Sequence, residues 1–211
     1  MSDRNHADLT ELVSTYGPLT ESLRRLIDVS IRTEVSADVV ATARAKIDAA
    51  ADELSTTTRA GSFGVRHMSN GTSVAWGNVV IGLRNPVAPP LTVNHDTDGS
   101  VWTEFTLGAA YEGPDGHVHG GVCALVLDHL LGATAHQPGR PAVTGTLTLR
   151  YLRGTRLGRL LRAEARIDRV DGVKTFAAGH IADAEGVTVQ AEGIFIHPKR
   201  LEVGETIAHS G

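Results

Sequence analysis

The stretch GGVCALVLDHLLGATA (120–135) constrains this chain more than any other. Its pattern predicts one helix, apolar on nearly every face, and such a helix is buried in the middle of a domain. The rest of the domain must therefore wrap around it. Four segments after it have the period of strands: AVTGTLTLRYL, LLRAEARIDRV, KTFAAGHIADA and VTVQAEGIFIH, with Asp171-Gly172 and Glu185-Gly186 as turns between the last three. Ahead of it, LTVNHD and SVWTEFTL flank a Thr97-Asp98-Gly99 turn and read as a hairpin. The order is strand, strand, buried helix, antiparallel meander. That is an α+β fold, a curved antiparallel sheet wrapped around one long central helix.

The first 54 residues form a helical extension. Leu9, Leu12 and Val13 begin an apolar stripe that Gly17-Pro18 interrupts, and Leu19, Leu23, Leu26, Ile27 and Ile31 give a second. A third helix starts at Ser36, an N-cap followed by Asp38, and runs to about Leu54. Residues 55–84 are Ser/Thr/Gly-rich and read as a linking loop with the length of a lid. NPVAPPL (85–91) reads as extended chain. The main domain is expected over 85–200, with a tail at 201–211.

Charge and composition narrow the function classes. Residues 1–54 carry six Lys/Arg and ten Asp/Glu, and residues 55–211 carry 14 of each. An acidic N-terminal segment opposes nucleic-acid binding, which calls for a basic face. One cysteine in 211 residues excludes a disulfide framework and a multi-cysteine metal centre. The opening MSDRNHADLTELV has no apolar signal core. No run approaches the ~18–20 apolar residues of a membrane span. A cytoplasmic location is the expectation.

Asp128 interrupts the apolar helix. A carboxylate there must be paired or hydrogen-bonded, or give up its charge. It is either a core cap or a poised base or nucleophile, and this residue alone does not choose. His119-Gly120-Gly121 opens the same helix. The glycines allow close backbone approach, and first-turn N–H groups can hold a developing oxyanion, although a tight turn needing glycine explains the motif equally simply. Asp128 lies nine residues beyond His119, or ~13 Å along a helix and half a turn around it. The two do not converge on one small substrate within one chain. A site using both combines Asp128 of one subunit with the helix start of another.

The stretch YEGPDGHVHGGVCALVLDHLLG (111–132), with Thr144 in AVTGTLTLRYL and the run Gly158, Leu161, Ala163, Ala165, resembles the hotdog-fold acyl-CoA thioesterases, nearest the phenylacetate-degradation (PaaI-like) and THEM-type groups. The likeness spans about 85–197. It implies hydrolysis of an acyl-CoA to the free acid and CoA without a cofactor. It also implies Asp128 as base or nucleophile, Gly120 and Gly121 amides polarising the thioester carbonyl, and roles for His119 and Thr144. A homodimer with interfacial active sites is implied too, with pairing of dimers left open. Gly113 stands where the phenylacetate-type enzymes often carry Asn. Non-catalytic acyl-CoA sensing is the alternative from another class; a hotdog enoyl-CoA hydratase would need an Asp and His at a spacing absent here.

Arg150, Arg153, Arg156, Arg159 and Arg162 recur at every third residue, which on a strand alternates faces. Of the basic residues, Arg150, Arg153 and Lys174 are the candidates for the CoA phosphates. Cys123 reads as packing, and His117-x-His119 lacks a third metal ligand. No metal is expected.

Overall fold

The computed structural model describes residues 9–67, 73–136 and 140–198, so the expected tail at 201–211 and part of the 55–84 segment lie outside the described residues. The chain divides into two compact units between Pro89 and Pro90.

The first unit contains α1 (Leu9–Arg32), α2 (Ala37–Ser55) and a short hairpin of β1 (Arg66–His67) with β2 (Ser73–Val74). The expected break at Gly17-Pro18 does not occur: α1 is one 24-residue helix with Pro18 inside it. Proline there forfeits a helix hydrogen bond and crowds the preceding turn. Docking of the helix outweighs that cost. Thr20 is buried, the Tyr16 ring lies 6.4 Å from that of Trp76, and Arg24 donates to the carbonyls of Ala88 (3.3 Å) and Asn85 (3.5 Å). Helix α2 follows Ser36 as expected, although the Ser36 side chain makes no cap bond, and every residue of α2 is exposed. The 85–91 segment departs from the extended reading. The Asn85 side chain accepts from the Val87 N–H (3.1 Å) and its carbonyl from the Ala88 N–H (3.1 Å). This side-chain-closed turn overrides the preference of the prolines for extended chain.

The second unit is the expected sheet around a helix. Strands β3 (Asn94–His95), β4 (Val101–Phe105), β5 (Val143–Tyr151), β6 (Leu161–Asp171), β7 (Lys174–Asp183) and β8 (Gly186–Ile196) form one six-stranded antiparallel sheet in the order β3-β4-β6-β7-β8-β5. Helix α3 (Gly120–Ala135) packs on it and sends Val126, Leu127, Leu130 and Leu131 into the core without measurable exposure. Leu161, Ala163 and Ala165 form the inner face of β6, so small residues there let the helix approach closely. The Phe195 ring fills a slot bordered by two glycines. A Cβ on Gly132 of α3 would lie 3.3 Å from that ring, and one on Gly193 of β8 would lie 2.6 Å from it. No described helix is long and apolar enough to cross a membrane.

Two expectations follow from this core. Phe195→Ala should cost ~3–5 kcal/mol of stability in urea unfolding, because the slot it vacates lies between helix and sheet backbones that cannot collapse fully. The second concerns His129 of α3, whose imidazole burial pushes below its ordinary 6.5, opposed in part by the charge of Asp128. A depressed histidine favours the neutral folded form, so the unfolded chain takes up this proton first and stability falls as pH drops below about 6.5. His129→Gln should flatten that acid limb when unfolding is measured from about pH 7 to pH 5.

Candidate functional site

The candidate catalytic residues sit on two elements of the second unit, α3 with its N-cap and the edge strand β5. Asp128 lies two turns into α3 and is half-buried. The Thr144 hydroxyl donates to Asp128 Oδ1 at 2.9 Å. The carboxylate in the apolar helix therefore has a hydrogen-bonding partner.

Strict alternation along β5 would point Thr144 the other way. Leu147 and Leu149 pair with Gly193 and Ala191, both buried on the inner face of β8, and period two then puts residue 144 outside. The ladder instead contains a bulge: Thr144 pairs with Phe195 and Thr146 with the next residue, Ile194, so Gly145 is the extra residue. A Cβ on Gly145 would meet the Ile196 side chain at 3.0 Å and the Ile194 carbonyl at 3.2 Å, so the bulge favours glycine. The bulge turns Thr144 onto the face of Phe195 and toward α3. A lone glycine inside a strand pattern is the sequence signal for this.

At the helix start, His119 is the N-cap of α3, and its Nδ1 accepts from the Gly121 N–H at 3.0 Å. The Gly121 amide is thus engaged by the His119 ring. The entry loop is cinched by His119 N–H to Tyr111 carbonyl (2.9 Å) and Gly113 N–H to His117 carbonyl (2.9 Å). Gly113 is sterically required in this loop, since a Cβ there would lie 2.6 Å from His119 Cα. That accounts for glycine in place of an amide residue. Sequence reasoning passed over Tyr151, at the far end of β5, whose hydroxyl donates to the Gly120 carbonyl at 2.9 Å. A side chain on Gly120 would crowd that ring at 3.2 Å. A tyrosine closing a strand beside a glycine-initiated helix is the signal that was available.

The three candidate phosphate ligands are not brought together. Lys174 aligns across the sheet with Ile196 and Val143, whereas Arg150 aligns with Gln190 and His180. Six residues of β7 and of β8 separate those rows, ~20 Å. Arg153 is committed to Asp183, with Nη1–Oδ2 at 3.0 Å, and to the Gly186 carbonyl at 2.6 Å. The guanidinium in turn holds the Asp183 carboxyl below its ordinary value.

Other candidates have structural partners. Burial pushes the Cys123 thiol up, opposite to activation, and its Sγ lies 3.8 Å from Thr155 Oγ1. His117 is held by the Asp115 carbonyl at 2.7 Å. Among the described residues no cluster of three His, Cys, Asp or Glu side chains can hold a metal. A groove of about 540 Å³ opens over Trp102, Arg162, Arg166, His180 and Glu192, and none of the candidate residues lines it.

Comparison with known proteins matches this architecture. The family model of the thioesterase superfamily matches residues 115–190. Acyl-coenzyme A thioesterase THEM5 of Homo sapiens is 27% identical over 94 residues, 44% of this chain and 38% of that protein. Acyl-coenzyme A thioesterase THEM4 of Xenopus laevis is 30% identical over 94 residues, 44% of this chain and 42% of that protein. The chain therefore spans about two fifths of the length of these curated relatives. A crystal structure of a thioesterase superfamily protein is 37% identical with a TM-score of 0.75, covering 86% of this chain and 90% of that one. With the buried helix, the wrapped sheet and this likeness over nearly the whole of a solved relative, the chain belongs to the thioesterase superfamily.

Proposed function

We propose that the chain is an acyl-CoA thioester hydrolase that works as a homodimer. The observation that carries this reading is the Thr144–Asp128 hydrogen bond of 2.9 Å, made by a carboxylate set into an otherwise apolar helix. The hydroxyl fixes one carboxylate oxygen and leaves the other to act. As general base, Asp128 takes a proton from water while the hydroxide adds to the thioester carbonyl. The tetrahedral intermediate then expels the CoA thiolate, which recovers a proton. As nucleophile, the carboxylate itself adds, CoA thiolate leaves, and water hydrolyses the mixed anhydride. The same geometry serves both routes.

The oxyanion falls to the N-terminus of α3. Gly120 occupies the first helical position, where an N–H has no intrahelical acceptor. Gly121 becomes a second donor only if the His119 ring turns away from it, which makes His119 an organiser of the helix entry rather than the base. Because this end of the helix lies ~13 Å from Asp128, the proposed site joins Asp128 and Thr144 of one subunit to the helix start of its partner.

The sheet edges support a dimer. At one edge β3 has two residues, too short to template another strand; at the other, β5 has nine, with Val143 and Tyr151 about half exposed. A long edge with no proline or lysine is an open invitation to pairing. Pairing β5 with that of a second copy would cover the edge that carries Thr144. Arg150 and Lys174, at opposite ends of the sheet, contact different parts of CoA if both contribute.

Thioester hydrolysis followed by free-thiol release, from acetyl-CoA to palmitoyl-CoA and with phenylacetyl-CoA, tests this reading. Asp128→Ala should lower kcat by about 10²–10⁴-fold with the wild-type assembly retained in size-exclusion chromatography. Thr144→Val should lower it by about 10–100-fold, the worth of a hydrogen bond to a charged group. Absence of turnover on every substrate, with tight binding of one acyl-CoA, would replace the hydrolase by a non-catalytic acyl-CoA binder.

A further inference from the structure

From Ser55 to Pro89 the chain has no aspartate or glutamate, and its only Lys or Arg residues are Arg59, Arg66 and Arg84. This follows a segment where acids outnumber bases ten to six. The fold gathers the three arginines. Their guanidinium carbons lie 5.8, 4.6 and 5.9 Å, respectively, from the centroid of the Phe63 ring. Gly61 (φ 73°) and Gly64 (φ 65°) bracket Phe63 with left-handed turns that bring Arg59 and Arg66 back to one ring. Arg84 arrives from the far end of the segment and also covers Tyr16 at 3.5 Å.

Local stability does not account for this cluster. An exposed cation gains little from an aromatic face, and the Phe63 ring already has Trp76 at 6.2 Å. Three like charges around one ring repel one another. Arg24, Arg32 and Arg44 of the same unit each pair with an acid three or four residues away. Among the described residues Arg59 and Arg84 have no such carboxylate within 4.0 Å. All three side chains are exposed. A multiply charged anion offsets such a field, and the planar guanidinium fork matches phosphate oxygens.

We propose that Arg59, Arg66 and Arg84, gathered around Phe63, form a binding site for the phosphates of coenzyme A. This rests on the acyl-CoA reading above. The diphosphate and 3′-phosphate of CoA give a polyanion that three separate guanidiniums suit.

The test is titration calorimetry on the full chain with CoA, dephospho-CoA, pantetheine and inorganic phosphate, for wild type, R59Q/R66Q/R84Q and Arg59→Glu. The single variant leaves the Arg84–Tyr16 contact in place and keeps the test open if the triple variant unfolds. Wild type should prefer CoA to dephospho-CoA and to pantetheine, lose affinity as salt rises, and bind more than about tenfold tighter than the triple variant. The single variant should show a smaller loss in the same direction. Equal affinity of wild type for CoA and pantetheine, or unchanged CoA affinity in both variants, would overturn the site. Full competition by equimolar inorganic phosphate would overturn its assignment to CoA. Arginine-dependent CoA binding without turnover of any thioester would keep this site and remove the hydrolase. Turnover at unchanged KM in the variants would do the reverse.

Discussion

A helix that is apolar on all sides cannot end at a surface, and the rest of the second unit is a consequence of enclosing α3. Strands β4, β6, β7 and β8 turn buried faces toward it, β5 adds the half-buried Leu147 and Leu149, and the small residues Ala163, Ala165, Ala177 and Ala191 of that core are nearly inaccessible. Phe195 then enters a slot left by Gly132 and Gly193. Close packing of this kind makes the helix rigid, and a rigid helix is the support on which a carboxylate can be held to one geometry. Placing Asp128 on this element trades some burial of apolar surface for fixed position.

The sequence made the helix, the strands and their turns legible because each has its own period: no polar face for α3, alternation for β5 to β8, glycine at the turns. It did not reveal the approach of Thr144 to Asp128 through structure. Alternation read back from Leu147 and Leu149 places Thr144 outside, and only the resemblance to a known family singles it out. The bulge at Gly145 reverses that facing. A one-residue insertion leaves the composition and length of a strand unchanged, so periodicity alone does not register it. The Arg153–Asp183 pair was hidden for a related reason. Thirty residues separate its partners, and only the antiparallel register brings them together.

In the first unit tertiary contacts override local rules. Gly17-Pro18 and the prolines of 85–91 predict a break and extended chain, yet α1 continues and Asn85 closes a turn. Arg24 of α1 donates to the Asn85 and Ala88 carbonyls, so the two departures support each other. Local propensity amounts to a few kcal/mol at a proline, and contacts that recruit a buried Thr20 and a stacked Tyr16 can exceed it. The acid-free composition of 55–89 was equally visible in the sequence, but its three arginines meet only after the chain has turned at Gly61 and Gly64.

The proposed chemistry and the proposed assembly share one strand. β5 carries Thr144 at its start and Tyr151 at its end, and these hydroxyls reach the middle and the start of α3, at Asp128 and the Gly120 carbonyl. It is also the long unpaired edge of the sheet. A strand tied to its sheet on one side only is the element most able to shift. A shift of β5 would disturb the hydrogen bond to the carboxylate and the contact at the helix start together. Pairing its free edge with a second copy would hold both contacts and would bring a partner's helix start toward Asp128. In the proposed dimer, pairing would act on catalysis by geometry: it would fix the strand that orients Asp128 while completing the proposed site.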